Sequence, residues 1–189
     1  MTDLSPVRAF TGLRTLQCSG SSPGQSQLAD LSPLKDMKLS SLNIHATRVT
    51  VAGLAPLQGM SSLRFLCLGA GKMTDRALAE LKKLPGLETV SFLDTRLTDA
   101  AFENVKGMNG LRELHLRVAG VTNEALVHLK DLPALRIISI GKGTRVTDAG
   151  LEHLAGLKNL AQLDLTGTAV TDEGVAKLRA ALPQCNIRK

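Results

Sequence analysis

The residue types that carry most enzyme and metal chemistry are scattered through this chain of 189 residues. The three cysteines, Cys18, Cys67 and Cys185, lie far apart in the sequence and form no CxxC pair. No cysteine and histidine stand at the spacing that zinc ligands require. The sequence therefore predicts no metal site.

Motifs for catalysis are also missing from the sequence. It contains no Gly-x-Ser-x-Gly nucleophile motif, no phosphate-binding glycine loop and no paired carboxylates placed for acid–base chemistry. The stretch GAGK at 69–72 shares letters with a phosphate-binding loop, but the rest of that motif is missing. We therefore predict neither catalysis nor a bound cofactor.

The composition restricts the class of fold. Hydrophobic residues make up 43% of the chain, which is enough for a buried core. Only 2% of the residues are aromatic, so the core must consist mainly of Leu, Val, Ile and Ala. Such a core indicates thin, regular layers, and it disfavours modules that stack nucleobases on aromatic rings.

Charge and hydropathy indicate the environment of the chain. Its formal net charge is +6, and no run of basic residues concentrates that charge. A charge of this size suits an acidic partner or simple solubility, and it gives nucleic-acid binding only weak support. No segment reaches the length of a membrane-spanning helix, and the first residues lack the pattern of a secretory signal. We therefore expect a cytoplasmic protein without a membrane span.

A repeat of nearly constant length organises the chain. Each copy contains Leu-x-x-Leu-x-Leu, whose alternation of apolar and polar residues predicts a half-buried strand. An early copy at Leu13 and Leu16 brings the number of predicted strands to seven. Each later copy ends in a segment similar to Thr-Arg-Val-Thr, and the spacing of the closing threonines is 24 residues, once 25. The closing threonines are Thr50, Thr74, Thr98, Thr122, Thr147 and Thr171.

Downstream of each threonine the apolar period becomes helical. After Thr122, for example, Leu126, Leu129 and Leu132 form one apolar stripe. The threonine is a favourable N-cap, and an aspartate follows it in most copies, where the helix dipole favours an acid. The third residue after the threonine is always Gly or Ala, which indicates close approach to a neighbouring element. Each copy is therefore predicted to be strand, turn, helix and turn, and stacked copies bury a continuous ladder of leucines.

The combined pattern Leu-x-x-Leu-x-Leu-x-x-Thr-x-Val-Thr-Asp-x-Gly-Leu-x-x-Leu resembles the leucine-rich repeats common in bacterial repeat proteins. The last full copy, LAQLDLTGTAVTDEGVAKLRAALPQCNI, looks like a typical member with its C-terminal cap. The resemblance covers residues 13–187 and implies an α/β, right-handed solenoid with a parallel sheet on the concave face and helices on the convex face. It also implies a tendency to bind proteins, but it names no particular ligand.

We expect one domain over residues 1–189 with about seven repeats. Residues 1–60 should form irregular repeats with short turns or 3-10 segments, because Gly and Pro interrupt the helical pattern there. Regular 24-residue repeats are expected over 61–182, with true helices from Thr74 onward, and a C-terminal cap over 183–189. The chain starts in mid-repeat at Thr2 without a capping segment, so we expect it to be part of a larger protein.

The polar positions of the predicted strands should point to the concave face, where a partner would bind. Phe65, Leu93 and Ile137 are large apolar residues at such positions, and they could form a contact patch or simply pack across strands. Cys67 is predicted to be an exposed thiol. The residues predicted to bind a partner on the concave face are His45, Phe65, Cys67, Ser91, Leu93, Glu113, His115, Arg117, Ile137, Ser139 and Asp164.

Rows of basic residues are predicted along the rim of the sheet. They could hold an acidic segment of a partner. They could equally serve solubility and protect the sheet edges from aggregation. The basic rim consists of Arg48, Lys72, Arg96 and Arg145, and a second row at the start of the strands holds Arg14, Arg64, Arg112 and Arg136.

These observations favour a protein-interaction module without catalysis, which binds a protein or peptide on its concave face. One alternative is a spacer or regulatory segment of a larger multidomain protein, which the mid-repeat start favours. A second alternative is a binder of nucleic acid or another polyanion, which the arginine rows and a pI near 9.5 favour.

Overall fold

The computed structural model describes residues 3–20, 26–69 and 73–189. Over these residues the chain forms one sheet of eight parallel strands, arranged in chain order from the first to the last. Parallel neighbours need a crossover connection, and here a helical segment or turn returns behind the sheet after each strand. The α/β solenoid that the repeats predict is therefore confirmed. We call the open face of the sheet, opposite the return segments, the concave face.

The strands are three to five residues long and coincide with the Leu-x-x-Leu-x-Leu segments. Equal positions of successive repeats pair directly, as Leu66 does with Val90 and Leu114 with Ile138. Seven strands fall in the seven predicted copies, and the eighth lies in the segment predicted as the C-terminal cap. The strands are β1 Thr15–Gln17, β2 Ser41–Asn43, β3 Phe65–Gly69, β4 Thr89–Leu93, β5 Glu113–Arg117, β6 Ile137–Ile140, β7 Gln162–Asp164 and β8 Asn186–Arg188.

The return segments change from 3-10 helices to α-helices along the chain. The 3-10 segments expected in the N-terminal part are present. The expectation of true helices from Thr74 onward is wrong for Asp99–Val105, which is a 3-10 helix. There the Asn104 side chain donates to the carbonyl of Ala101 at 3.2 Å, a local bond that competes with the α-helical ladder. The helices are α1 Arg76–Leu81, α2 Asn123–Leu129, α3 Asp148–Leu151 and α4 Asp172–Ala181, and the other 3-10 segments are Ser5–Ala9, Ser32–Leu34, Ala52–Leu57 and Glu152–Leu154.

The longest of these helices, α4, has 10 residues. A helix that crosses a bilayer needs about 20 predominantly apolar residues. Within the ranges that the structure describes, no helix has that length and apolar character.

The core is a ladder of apolar side chains between the sheet and the return segments. Leu66 and Leu114 have no exposed surface, because repeats on both sides cover them. Cys18 and Cys185 stand at leucine positions of the repeat and are buried. Leu16 is only partly buried, since β1 has a neighbouring strand on one side.

A second ladder, made of hydrogen bonds, joins the starts of successive return segments. The carboxylate of Asp148 accepts from the backbone N–H of Thr171 at 2.8 Å and from its hydroxyl at 2.6 Å. Asn123 makes the equivalent pair with Thr147, at 2.9 Å to the backbone and 2.9 Å to the hydroxyl. The same contacts join Asp75 to Thr98 and Asp99 to Thr122. We call this set of contacts the Asp–Thr ladder.

The Asp–Thr ladder explains the glycines at two of the small positions. A Cβ atom on Gly174 would overlap the carboxylate of Asp148. A Cβ atom on Gly150 would lie 2.6 Å from Oδ1 of Asn123. At these two positions the close approach expected from the sequence is confirmed, and the neighbouring group is the ladder side chain of the preceding repeat; at Gly53 the nearest atom is Cγ1 of Val49.

Truncation of a core leucine tests the stacking of repeats. Leu114→Ala should lower the free energy of unfolding by about 2–5 kcal/mol, because the fully buried side chain contacts both neighbouring repeats. Leu16→Ala should cost less, since Leu16 is partly exposed. Urea unfolding followed by circular dichroism measures both values. Equal losses at the two positions would argue against a stacked array.

The Asp–Thr ladder predicts an acid-sensitive part of the stability. The hydroxyl and then the backbone N–H of Thr171 hold the pKa of Asp148 below its usual value of 3.8. A lowered pKa in the folded state means that this contact stabilises the fold above that usual value and is lost as the pH falls through the folded-state pKa. Asp148→Asn should therefore make the urea midpoint less dependent on pH below about pH 4.

Asn is the natural ladder residue at position 123, so Asp148→Asn should keep the contact in uncharged form. Asp131→Asn, at an exposed position outside the ladder, is the matched control. Urea midpoints at neutral and acid pH are compared for the wild type and both variants. If Asp148→Asn shows the same acid dependence as the control, the ladder does not titrate as proposed.

Candidate functional site

The concave face presents three rows of side chains, because alternate residues of each strand point away from the return segments. All eleven residues predicted to bind a partner lie in these rows. The first row is Thr15, Ser41, Phe65, Thr89, Glu113, Ile137, Gln162 and Asn186, and the second is Gln17, Asn43, Cys67, Ser91, His115, Ser139, Asp164 and Arg188. The third is Gly69, Leu93 and Arg117, with His45 beside Gly69.

The large apolar residues of the face do not form one patch. Phe65 and Ile137 lie half-buried in the first row, with Thr89 and Glu113 between them. Leu93 lies in the third row, at the opposite end of the strands. A partner would therefore meet separate apolar contacts, each set among polar side chains.

The middle of the second row is closed to solvent. Cys67 is 4% exposed and Ser91 is 8% exposed, so the prediction of an exposed thiol at Cys67 is wrong. Short side chains in a row spaced about 4.8 Å apart are covered by their longer neighbours. Burial raises the pKa of the Cys67 thiol, against the opposing effects of a hydrogen bond with Ser91 and the charge of Arg117. Cys67 is therefore a buried thiol with little thiolate character.

The polar residues further along the second row remain accessible. His115 and Ser139 are half-buried, and Nε2 of His115 lies 3.7 Å from a carboxylate oxygen of Glu113 on the same strand. The hydroxyl of Thr166 donates to Asp164 and lowers the pKa of that carboxyl group. The face around β5–β7 therefore offers both hydrogen-bond donors and a carboxylate that is ionised at neutral pH.

A cluster of polar side chains around Asp94 lies beside the third row, where the strands end. Asp94 Oδ2 accepts from Arg117 Nη2 at 3.0 Å and lies 3.8 Å from Nε2 of His45. The His45 ring lies against Gly69, where a Cβ atom would overlap it. His45 is 19% exposed, and its Nε2 is buried without a hydrogen-bond partner among the described residues. Sequence reasoning missed Asp94, whose position directly after β4 was the available signal.

The predicted basic rim is partly visible in the structure. Arg48, Arg96 and Arg145 are exposed on the turns that follow β2, β4 and β6. They therefore lie along the edge at which the strands end. Lys72 lies outside the described residues.

The second row of arginines lies at the opposite edge, since its members directly precede their strands. Arg64 and Arg112 both contact Glu88, at 3.3 Å and 3.4 Å. Arg14 and Arg136 form no ion pair within the part of the chain that the structure describes. The basic residues predicted from the sequence therefore belong to two separate edges of the sheet.

The concave face is an open surface. Two depressions of about 500 Å³ and 530 Å³ lie elsewhere, at the edge where the first strands begin. Small ligands usually bind in enclosed clefts with apolar walls, whereas this face is broad and mixed in polarity. In the described ranges, no group of three or more His, Cys, Asp or Glu residues could hold a metal ion. The arrangement therefore suits a macromolecular partner best.

Comparisons with known proteins establish the fold. No protein-family model and no curated protein matches the chain. Among solved structures, internalin C2 from Listeria monocytogenes is similar to this chain with a TM-score of 0.67 and 22% identity, and the match covers 95% of this chain and 72% of internalin C2. A leucine-rich-repeat protein of Leptospira interrogans is similar with a TM-score of 0.60 and 18% identity, and the match covers 100% of this chain and 52% of that protein. A chain of the yeast Rad7–Elc1 complex is similar with a TM-score of 0.63 and 24% identity, and the match covers 82% of this chain and 42% of the yeast chain. The chain thus spans about half the length of two of these three structures.

Proposed function

We propose that this chain, which has the leucine-rich-repeat fold, is a protein-interaction module without catalytic activity and binds a partner protein or peptide on its concave face. The observation that carries the proposal is the composition of that face. Over β3–β6 it offers apolar, basic and acidic side chains that are half-buried or exposed on an open sheet.

Two sets of side chains on the face have the character of binding contacts. Phe65 is an aromatic residue in the same row as the carboxylate of Glu113 and the apolar side chain of Ile137. Arg117 pairs directly with Leu93 across β4 and β5. Aromatic residues and arginines are enriched where protein partners gain most of their binding energy. The yeast structure of similar fold belongs to a complex of two proteins, which supports a protein as the class of partner.

We also infer a reducing compartment, such as the cytoplasm. Cys18, Cys67 and Cys185 are all free and all buried. Proteins that fold in oxidising compartments commonly use their cysteines in disulfides. The free, buried thiols fit a chain that folds without that crosslinking.

The test compares two triple variants of the full chain in affinity capture from the source organism. Phe65→Ala/Arg117→Ala/Ile137→Ala removes the large side chains of the concave face. Each central contact residue of an interface commonly contributes about 1–2 kcal/mol or more, so the captured partner should bind at least about tenfold more weakly. The dissociation constant is then measured with the purified partner by isothermal titration calorimetry.

Glu103→Ala/Lys106→Ala/Lys130→Ala is the matched control, because these three residues are exposed on the return segments. It should bind the partner with the wild-type affinity. Circular dichroism melting curves must show that both variants are folded. A partner that binds the concave-face variant as tightly as the control would refute the concave face as the binding site.

A further inference from the structure

The two largest depressions described above are halves of one surface. They lie on either side of the turn 35–38, between the first three repeats, and residues 35–38 line both of them. Arg8 and Arg14 line one half, whereas Pro56, Gly59 and Met60 line the other. We call this surface, with the turn 35–38 at its centre, the basic groove.

The basic groove concentrates positive charge. Its lining contains four basic side chains and one carboxylate, that of Asp36. Four positive charges and one negative charge sum to +3, which is half of the formal net charge of +6 that the whole chain carries. All four basic residues are exposed. They are Arg8, Arg14, Lys35 and Lys38.

The four cations of the basic groove form no ion pair among the described residues, although the charge of Arg8 acts on the nearby carboxylate of Asp30. Arg8 donates only to the backbone carbonyls of Pro33 and Ser32, at 3.2 Å and 3.3 Å. Arg14 donates only to the carbonyl of Leu13 at 3.3 Å, and neither of the two lysines has an ion-pair partner among the residues that the structure describes. Further along the same edge, Glu88 already pairs with Arg64 and Arg112. The four cations of the basic groove are therefore available to an acidic partner.

We propose that the basic groove is a second binding site, separate from the concave face, and that it takes a short acidic peptide segment. Exposed cations attract carboxylates over about 8 Å at physiological ionic strength. The groove spans two repeat steps of about 4.8 Å each, which corresponds to about three extended residues. The site therefore suits a short run of Asp and Glu.

The rest of the lining favours a peptide over a nucleic acid. Asp36, at the centre of the groove, can accept a hydrogen bond from a peptide N–H, a donor that a sugar–phosphate backbone lacks. Met37, which is partly exposed, supplies apolar surface for a side chain between the acids. None of the lining residues is aromatic, so the groove has no surface on which bases could stack.

The experiment measures binding of a fluorescein-labelled peptide, Asp-Glu-Leu-Glu-Asp-Glu, to the full chain by fluorescence anisotropy at low and at physiological salt. Lys35→Glu/Lys38→Glu should weaken binding by about tenfold or more, because reversal of two charges replaces attraction with repulsion. Lys106→Glu/Lys130→Glu changes the net charge by the same amount at exposed positions outside the groove, and it should change the affinity less than about threefold.

Two further arms make the result specific. The concave-face variant Phe65→Ala/Arg117→Ala/Ile137→Ala should bind the peptide as the wild type does, which would separate the groove from the concave face. An oligodeoxythymidine of equal charge should bind more weakly than the peptide. Equal losses in the two charge-reversal variants would show an effect of net charge alone and overturn the proposal. Tighter binding of the oligonucleotide, with the same dependence on Lys35 and Lys38, would overturn the assignment of a peptide.

Discussion

Each repeat depends on its neighbours to bury its apolar face, and this constraint shapes the rest of the molecule. The leucines of one strand are covered only when the next repeat stacks beside them, as the full burial of Leu114 and the partial burial of Leu16 show. Stacking is effective only at one register, because a shift of one residue would turn the leucines toward solvent. The Asp–Thr ladder reinforces that register, since its side chains bridge adjacent repeats at one fixed position.

The fixed register is also what creates a candidate binding face. Equal positions of eight strands fall in line, so each open position of the repeat becomes a row across the sheet. Substitutions in these rows leave the buried ladder untouched, and the face can therefore vary while the fold stays the same. Short side chains in the middle of the sheet add little to the accessible face, because the side chains around them cover them, as the burial of Cys67 and Ser91 shows. Long side chains such as Phe65 and Arg117 remain accessible.

The repeat pattern was sufficient to predict the first seven strands, their order and the face to which their residues belong, because these follow from periodicity, whereas β8 lies in the segment predicted only as a cap. Periodicity does not predict which side chains form contacts between repeats. The aspartate after each threonine was interpreted as a helix-dipole residue, whereas Asp148 bonds to the threonine of the next repeat. The 3-10 form of Asp99–Val105 depends on a local bond of Asn104. Lys35 stands at the position of Arg8 in the similar segments DLSPVRAF (3–10) and DLSPLKDM (30–37), but that similarity does not show that Arg14 and Lys38 line the same depression.

The irregular N-terminal repeats differ from the regular repeats in the surface that they form at the edge of the sheet. Short 3-10 segments replace helices there, and two depressions lie between these repeats at the edge where the strands begin. In the regular repeats the same edge carries the Arg64–Glu88–Arg112 ion pairs, in which one carboxylate partly offsets two arginines. A surface that is both open and unmatched in charge gains more from an acidic partner than one already neutralised, because no internal ion pair has to be broken. The irregular repeats can therefore form a second contact, which is selective for an acidic partner. This contact lies apart from the broad concave face that the regular repeats form.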